Sequence, residues 1–92
     1  MISMEELKPI AAAHNGKILE TLHQGKRFQV DVTAKGLQYT PESTGTPRLH
    51  RWLYVERVLN RFNDTNSFSP SDYHDISANA TYLLALIKAH RA

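Results

Sequence analysis

One segment restricts the possible folds more than any other, the run of residues 27–34, in which polar and apolar side chains alternate. The apolar members fall on one side of an extended chain: Phe28, Val30, Val32 and Ala34. A strand with this pattern has one face against a core and the other in water. The chain is therefore expected to form a sheet that is covered on one side.

The segments on either side predict the rest of this sheet. Residues 18–22 and 37–40 have the composition of strands, and short turns containing Gly25 and Gly36 separate them from the central run. Strands joined by such short turns are antiparallel. We therefore predict a three-stranded antiparallel meander, followed by a loop over residues 41–47.

Three helices are predicted around the meander. Ser3 and Glu6 have the spacing of a capping box, and Gly16 supplies a stop. Pro9 either ends a short first turn or kinks this helix. Residues 48–62 and about 77–90 are predicted to form the other two helices, the first with Trp52, Val55, Leu59 and Phe62 along its buried side. We expect one domain over residues 1–92 with an α+β fold, in which an N-terminal helix precedes the meander and two C-terminal helices pack on one sheet face.

The composition excludes several classes of protein. The chain has 92 residues and no cysteine, which excludes disulfides and thiol nucleophiles and favours a reducing compartment. Its first residues include the acids Glu5 and Glu6, where a signal peptide has bases. The longest apolar run spans only residues 82–87, whereas a membrane helix needs about 20 residues. We therefore expect a cytoplasmic protein with no membrane partner.

The last predicted helix is apolar around its whole circumference. A helix of this kind is buried on more than one side. Two arrangements satisfy this requirement: a central helix between the sheet and the preceding helix, or a homodimer with this helix at its two-fold axis. The second arrangement predicts an interface made of Tyr82, Leu83, Leu84, Leu86 and Ile87.

Positive charge is concentrated in one segment although the net charge of the chain is only +2. Residues 48–62 contain four arginines and one glutamate, whereas residues 63–79 contain three aspartates and no base. On a helix, His50, Tyr54, Arg57 and Arg61 would share one stripe, and Arg48 and Arg51 would add charge at its start. Arginine matches phosphate oxygens and stacks on bases. The stripe is a candidate nucleic-acid surface, or else a solvated face that the acidic segment neutralises.

The loop before this helix contains hydroxyl side chains and a glycine. Thr44 and Thr46 precede the predicted helix start, where free amide groups and the helix dipole attract anions. The alternative is ordinary helix initiation, with Thr46 as the N-cap and Pro47 as the first helical residue. The phosphate-binding loop pattern Gly-x-x-x-x-Gly-Lys-Ser/Thr is absent.

An acidic segment offers the remaining candidate chemistry. Asp72, His74 and Asp75 could act as metal ligands or as a general acid and base. Their spacing fits no zinc or calcium signature, so Asp72 or Asp75 is more simply a helix cap. No two of the five histidines have the i,i+4 spacing of paired ligands on a helix. We expect no metal and no cofactor.

These patterns predict three functions in order of preference. The first is a non-enzymatic binding module that contacts an anionic partner, with nucleic acid as the best guess, through the arginine-rich surface. The second is a protein-interaction or accessory protein that acts as a homodimer through its last helix. The third is a small hydrolase-like enzyme that uses His74 with Asp72 or Asp75.

Overall fold

The computed structural model describes residues 1–91. Its elements in chain order are α1 (Met4–Ala13), β1 (Ile18–Glu20), β2 (Arg27–Val32), β3 (Gly36–Pro41), β4 (Arg48–Arg51), α2 (Trp52–Thr65), a short 3₁₀ helix (Pro70–Tyr73) and α3 (Ala80–Arg91). The four strands form one antiparallel sheet in the order β1-β2-β3-β4. The predicted α+β class is confirmed, but the sheet has one strand more than predicted.

The inner face of the sheet is apolar and buried. Val30 lies opposite Tyr39, and Phe28 lies opposite Pro41 on the neighbouring strand. All four side chains are buried, whereas Gln29, on the other face, is partly exposed. One cluster of buried side chains joins this face to residues of α1, α2 and α3. The predicted buried face is therefore confirmed for Phe28 and Val30, but it is wrong for Val32, which is exposed at the end of the strand, and for Ala34, which lies beyond the strand and is exposed.

The first helix begins as the sequence predicts. Ser3 and Glu6 form the complete capping box, in which each side chain bonds the other residue's amide group. Pro9 lies inside α1, which continues to Ala13, so the proposed break at Lys8 does not occur. Leu7 and Ala11 are the fully buried residues of this helix and anchor it to the core.

The segment predicted as the first turn of the second helix is instead the fourth strand. Arg48 to Arg51 pair with β3, with His50 opposite Leu37 and Arg51 opposite Gly36. A Cβ atom on residue 36 would lie 2.1 Å from the carbonyl oxygen of His50, so glycine is what allows this approach. Residues 48–51 are therefore extended, because their pairing with β3 outweighs the helical pattern of the local sequence.

The second helix accordingly starts at Trp52. Its amide donates to the carbonyl of Lys35, which closes the end of the sheet. The inward side of α2 buries Val55, Val58, Leu59 and Phe62. The helix continues past the predicted end at Phe62 and terminates at Asn66, whose left-handed backbone (φ 54°) lets its amide bond the carbonyl of Phe62.

The last helix is the central element of the core. Leu83, Leu84, Leu86 and Ile87 are buried within the single chain. Tyr82 is partly exposed and packs its ring on Tyr39 and Phe28, with centroid distances of 5.1 and 4.9 Å. Four of the five residues expected at a dimer interface are thus already covered, so the apolar character of α3 is explained without a second copy. No helix among residues 1–91 is long and apolar enough to cross a membrane.

Candidate anion-binding site

The residues of the predicted arginine stripe lie on two elements instead of one helix. Arg48, His50 and Arg51 belong to β4, where neighbouring side chains point to opposite faces of the sheet. Tyr54, Arg57 and Arg61 belong to α2 and keep the helical spacing that the sequence predicts. The prediction of one continuous stripe is therefore wrong in its first half. These residues instead lie on both sides of a corner, the point at which β4 ends at Arg51 and α2 begins at Trp52.

His50 points to the core rather than to solvent. Only 2% of its surface is exposed, and the Tyr39 hydroxyl lies 2.9 Å from its Nδ1. Burial lowers the pKa of His50 to about 4 and raises the pKa of Tyr39 well above its ordinary value. Both side chains are consequently neutral at pH 7. His50 cannot contribute the exposed positive charge that a helical stripe would have given it.

The hydrogen-bond pairing between these two residues identifies the protonated nitrogen of the imidazole. The buried Tyr39 hydroxyl carries a proton that needs an acceptor, and Nδ1 is its partner. When Tyr39 donates to Nδ1, the ring hydrogen of the neutral imidazole resides on Nε2. The opposite tautomer would leave both the tyrosine hydrogen and the Nε2 lone pair unpaired. Within the described chain, Nε2 is the buried side-chain polar atom that has no hydrogen-bond partner.

A cavity of about 420 Å³ lies beside His50. One wall comes from β4 and the start of α2, and the other comes from the segment that precedes α3. The lining residues are Leu49, His50, Arg51, Tyr54, Ile76, Ser77 and Asn79. Over residues 1–91, this lining contains cationic and hydroxyl side chains and no carboxylate. A cavity with this lining favours an acceptor-rich or negatively charged group.

The corner also exposes arginines that carry no counter-charge. In the described part of the chain, no carboxylate lies within ion-pair distance of Arg48, Arg51 or Arg57. The Arg57 guanidinium is 5.5 Å from the centroid of the Tyr54 ring, so the tyrosine holds it near the cavity. These three cations remain available to a partner.

Arg61 has a different role. Its guanidinium forms two hydrogen bonds with the Asp75 carboxylate, of 2.6 and 3.0 Å, and donates to the carbonyl of Asp72. This ion pair raises the pKa of Arg61 and lowers that of Asp75. The acidic segment therefore folds back and neutralises one arginine of the four. The sequence left open whether this segment neutralises the arginine stripe, and in the structure it pairs with Arg61.

Thr44 and Thr46 lie in the turn between β3 and β4 and not at a helix start. The Thr46 amide donates to the Thr44 hydroxyl, and the Gly45 amide donates to the carbonyl of Pro41. Anion binding at a helix start and capping by Thr46 both require a helix directly after Pro47. The helix begins only at Trp52, so both expectations for this loop are wrong. Neither Thr44 nor Thr46 is among the residues that line the cavity. The structure thus places the two threonines apart from the cavity.

The acidic candidates have different partners in the structure. Asp75 is paired with Arg61, and the Asp72 carboxylate accepts a hydrogen bond from the Ser67 hydroxyl. His74 faces a separate cavity of about 470 Å³, lined also by His23 and Lys26. Among residues 1–91, no group of three or more histidine or acidic side chains is placed to hold a metal ion.

The fold and the site define a small α+β protein with a cationic corner beside a cavity that polar and apolar side chains line together. No family model, curated protein or solved structure matches the chain. The function must therefore be argued from the geometry of the molecule itself.

Sequence reasoning missed the Tyr39–His50 pair and the cavity beside it. The sequence places His50 on the exposed stripe of a helix, because a four-residue strand that runs directly into a helix has no separate periodic signal. Gly36 gave no warning of the close approach to β4, because the sequence places this glycine in a turn. The partner in that approach lies 14 residues further along the chain.

Proposed function

We propose that this protein is a non-enzymatic binding module that takes an anionic partner at the corner between β4 and α2, and that the partner is a nucleic acid. The observation that carries this proposal is the set of three exposed arginines without counter-charges, Arg48, Arg51 and Arg57. Uncompensated guanidinium groups bind phosphate oxygens through two parallel hydrogen bonds.

The surroundings of the arginines support a nucleic acid over a simple anion. Arg48 and Arg51 are about 10 Å apart along β4, and because they are three residues apart their side chains leave opposite faces of the sheet; of the two, Arg51 lines the cavity. Arg57 is held over Tyr54, and Trp52 is partly exposed at the start of the same helix. Aromatic rings next to spaced cations are typical of surfaces that bind a nucleic-acid backbone and stack its bases.

Binding to labelled single-stranded RNA, single-stranded DNA and duplex DNA tests this proposal. Anisotropy of the label and fluorescence of Trp52, the single tryptophan, supply two independent readouts. If three phosphates are neutralised on duplex DNA, affinity should fall about 40-fold between 50 and 200 mM salt. Replacing Arg51 or Arg57 with alanine should weaken binding and reduce the slope of log K against log salt by about 1 each.

Arg61→Ala is the matched control for Arg57→Ala. Both arginines lie on α2, one turn apart, but Arg61 is already paired with Asp75. We expect Arg61→Ala to bind nucleic acid nearly as well as the unmodified protein. Equal losses in the two variants, or no binding of any nucleic acid at 50 mM salt, would contradict the proposal.

A second candidate function is the docking of an acidic protein. Its support is Leu53, which is 55% exposed on α2, and Leu49, which is exposed on β4. Apolar side chains next to Tyr54 and Arg51 resemble the centre of a protein interface, where tyrosine and arginine are enriched. Leu53→Ser separates the two functions, because it should weaken a protein contact and leave the salt-dependent binding of nucleic acid unchanged.

A further inference from the structure

The buried imidazole of His50 has one hydrogen-bonding nitrogen that the fold does not use. A buried N–H without a partner costs about 1–3 kcal/mol relative to one that is hydrogen-bonded. The fold satisfies Nδ1 through Tyr39 and leaves Nε2 unpartnered. His50 also lines a cavity, but Nε2 has almost no accessible surface, so this donor reaches a ligand there only when the side chains that cover it move aside.

The other lining side chains supply further donors. The Ser77 hydroxyl oxygen accepts from the Asn79 amide at 3.0 Å, which leaves the Ser77 hydrogen free to donate. Tyr54 contributes a second hydroxyl and Arg51 a guanidinium. The segment formed by Ser77 and Asn79 leads directly into α3, so the positive end of that helix lies close to the cavity.

We propose that this cavity is a phosphate site, in which His50 Nε2–H and the Arg51 guanidinium bind one phosphate group. The inference rests on the function proposed above and specifies it, since the bound phosphate would belong to the nucleic acid. A phosphate has more acceptor oxygens than a carboxylate, so it can use the donors on both walls at once. The cavity volume of about 420 Å³ is within the range of small-molecule sites, so a nucleotide unit fits as well as the phosphate alone.

The first test follows the Nε2–H proton of His50 by NMR in the unmodified protein. Inorganic phosphate, a nucleoside 5′-monophosphate and a short oligonucleotide with or without a 5′-phosphate are titrated separately, with potassium chloride keeping the ionic strength constant. A saturable shift of this proton is expected with each phosphate probe. The two oligonucleotides distinguish a terminal phosphate from an internal one, because only a site for chain ends needs the 5′-phosphate.

Variants of the lining then measure the contribution of each donor. His50→Leu should lower the affinity for the nucleoside monophosphate about tenfold or more, the usual effect of losing a hydrogen bond to a charged group. If that variant does not fold, Ser77→Ala and Tyr54→Phe each remove one donor from the rim of the cavity and should also weaken binding. Ser71→Ala, in the separate cavity near His74, is the matched control and should change nothing.

The outcomes separate this site from the proposed function. If oligonucleotides bind in an Arg57-dependent manner but the His50 proton does not move, the phosphate site is wrong and the binding surface stands. If inorganic phosphate shifts the His50 proton but no oligonucleotide binds, the site stands and nucleic acid is wrong as the partner. If no probe shifts the proton or binds, both proposals are wrong.

Discussion

Arg61 and Asp75 form a two-point ion pair that ties α2 to the segment before α3, with Nη1 2.6 Å from Oδ1 and Nη2 3.0 Å from Oδ2. The pair has a consequence for function as well as for stability. It removes Arg61 from the cations available to a partner.

Arg61→Ala should lower the melting temperature by a few degrees, because it removes both bonds to Asp75 and the bond to the Asp72 carbonyl. Arg57→Ala, which breaks no such contact, should leave the melting temperature unchanged. Thermal unfolding followed by circular dichroism measures both. The difference should shrink in acid, because the lowered pKa of Asp75 means that its stabilisation is lost as pH falls through that pKa. Identical melting curves at pH 7 would show that the pair adds nothing to stability.

The protein should lose stability as pH falls from about 6.5 to about 4, in part through His50. The folded state holds this imidazole neutral with a pKa of about 4, whereas the unfolded chain binds a proton near 6.5. The unfolded state therefore gains more protons over this range, and the free energy of unfolding falls by up to about 3 kcal/mol. The stabilisation is fully present above pH 6.5. The titratable and charged groups that face the imidazole are Tyr39, Arg51 and Tyr54.

Urea unfolding at a series of pH values measures this slope, and His50→Gln is the control. Glutamine does not titrate, and its side-chain oxygen can accept the Tyr39 hydrogen bond. The variant should have a shallower decline between pH 6.5 and 4 than the unmodified protein. A decline of the same steepness would assign the pH dependence to other groups.

Gly36→Ala should destabilise the fold by more than about 3 kcal/mol. The new Cβ atom would lie 2.1 Å from the carbonyl oxygen of His50, so β3 and β4 would have to separate. Gly16→Ala is the comparison, because a Cβ there meets no atom within 4 Å and only the positive φ of 77° opposes it, at about 1 kcal/mol. Chemical denaturation of both variants measures the two losses of unfolding free energy. Similar losses would mean that the close approach of the two strands is not what Gly36 provides.

Leu84→Ala should cost about 2–5 kcal/mol, because the side chain is fully buried in α3. Leu53→Ala, on the exposed side of α2, should change stability by less than about 0.5 kcal/mol. The unfolding midpoint of the unmodified protein should also be the same at two protein concentrations tenfold apart, since α3 is covered within one chain. A midpoint that rises with concentration would indicate that association contributes to the stability of the fold.

The elements that the sequence predicted well are those with a strong local signal. The capping box at Ser3 and Glu6 involves neighbouring residues, and the alternation at residues 27–32 is a property of one strand. The core side of α2 was predicted for the same reason, because Val55, Leu59 and Phe62 repeat at helical spacing. In each case the hydrogen bonds or the burial pattern depend on residues within a few positions of one another.

The sequence by itself determined an α+β chain with a one-sided sheet and a concentration of arginine after residue 47. The tertiary structure decided which of these arginines are free. Long-range pairing turned residues 48–51 into a strand, buried His50 against Tyr39 and brought Asp75 to Arg61 across 14 positions of the chain. These outcomes depend on contacts between distant segments, and such contacts have no periodic signature in the sequence. For the same reason, only the fold could show that the apolar surface of α3 is covered by the rest of its own chain.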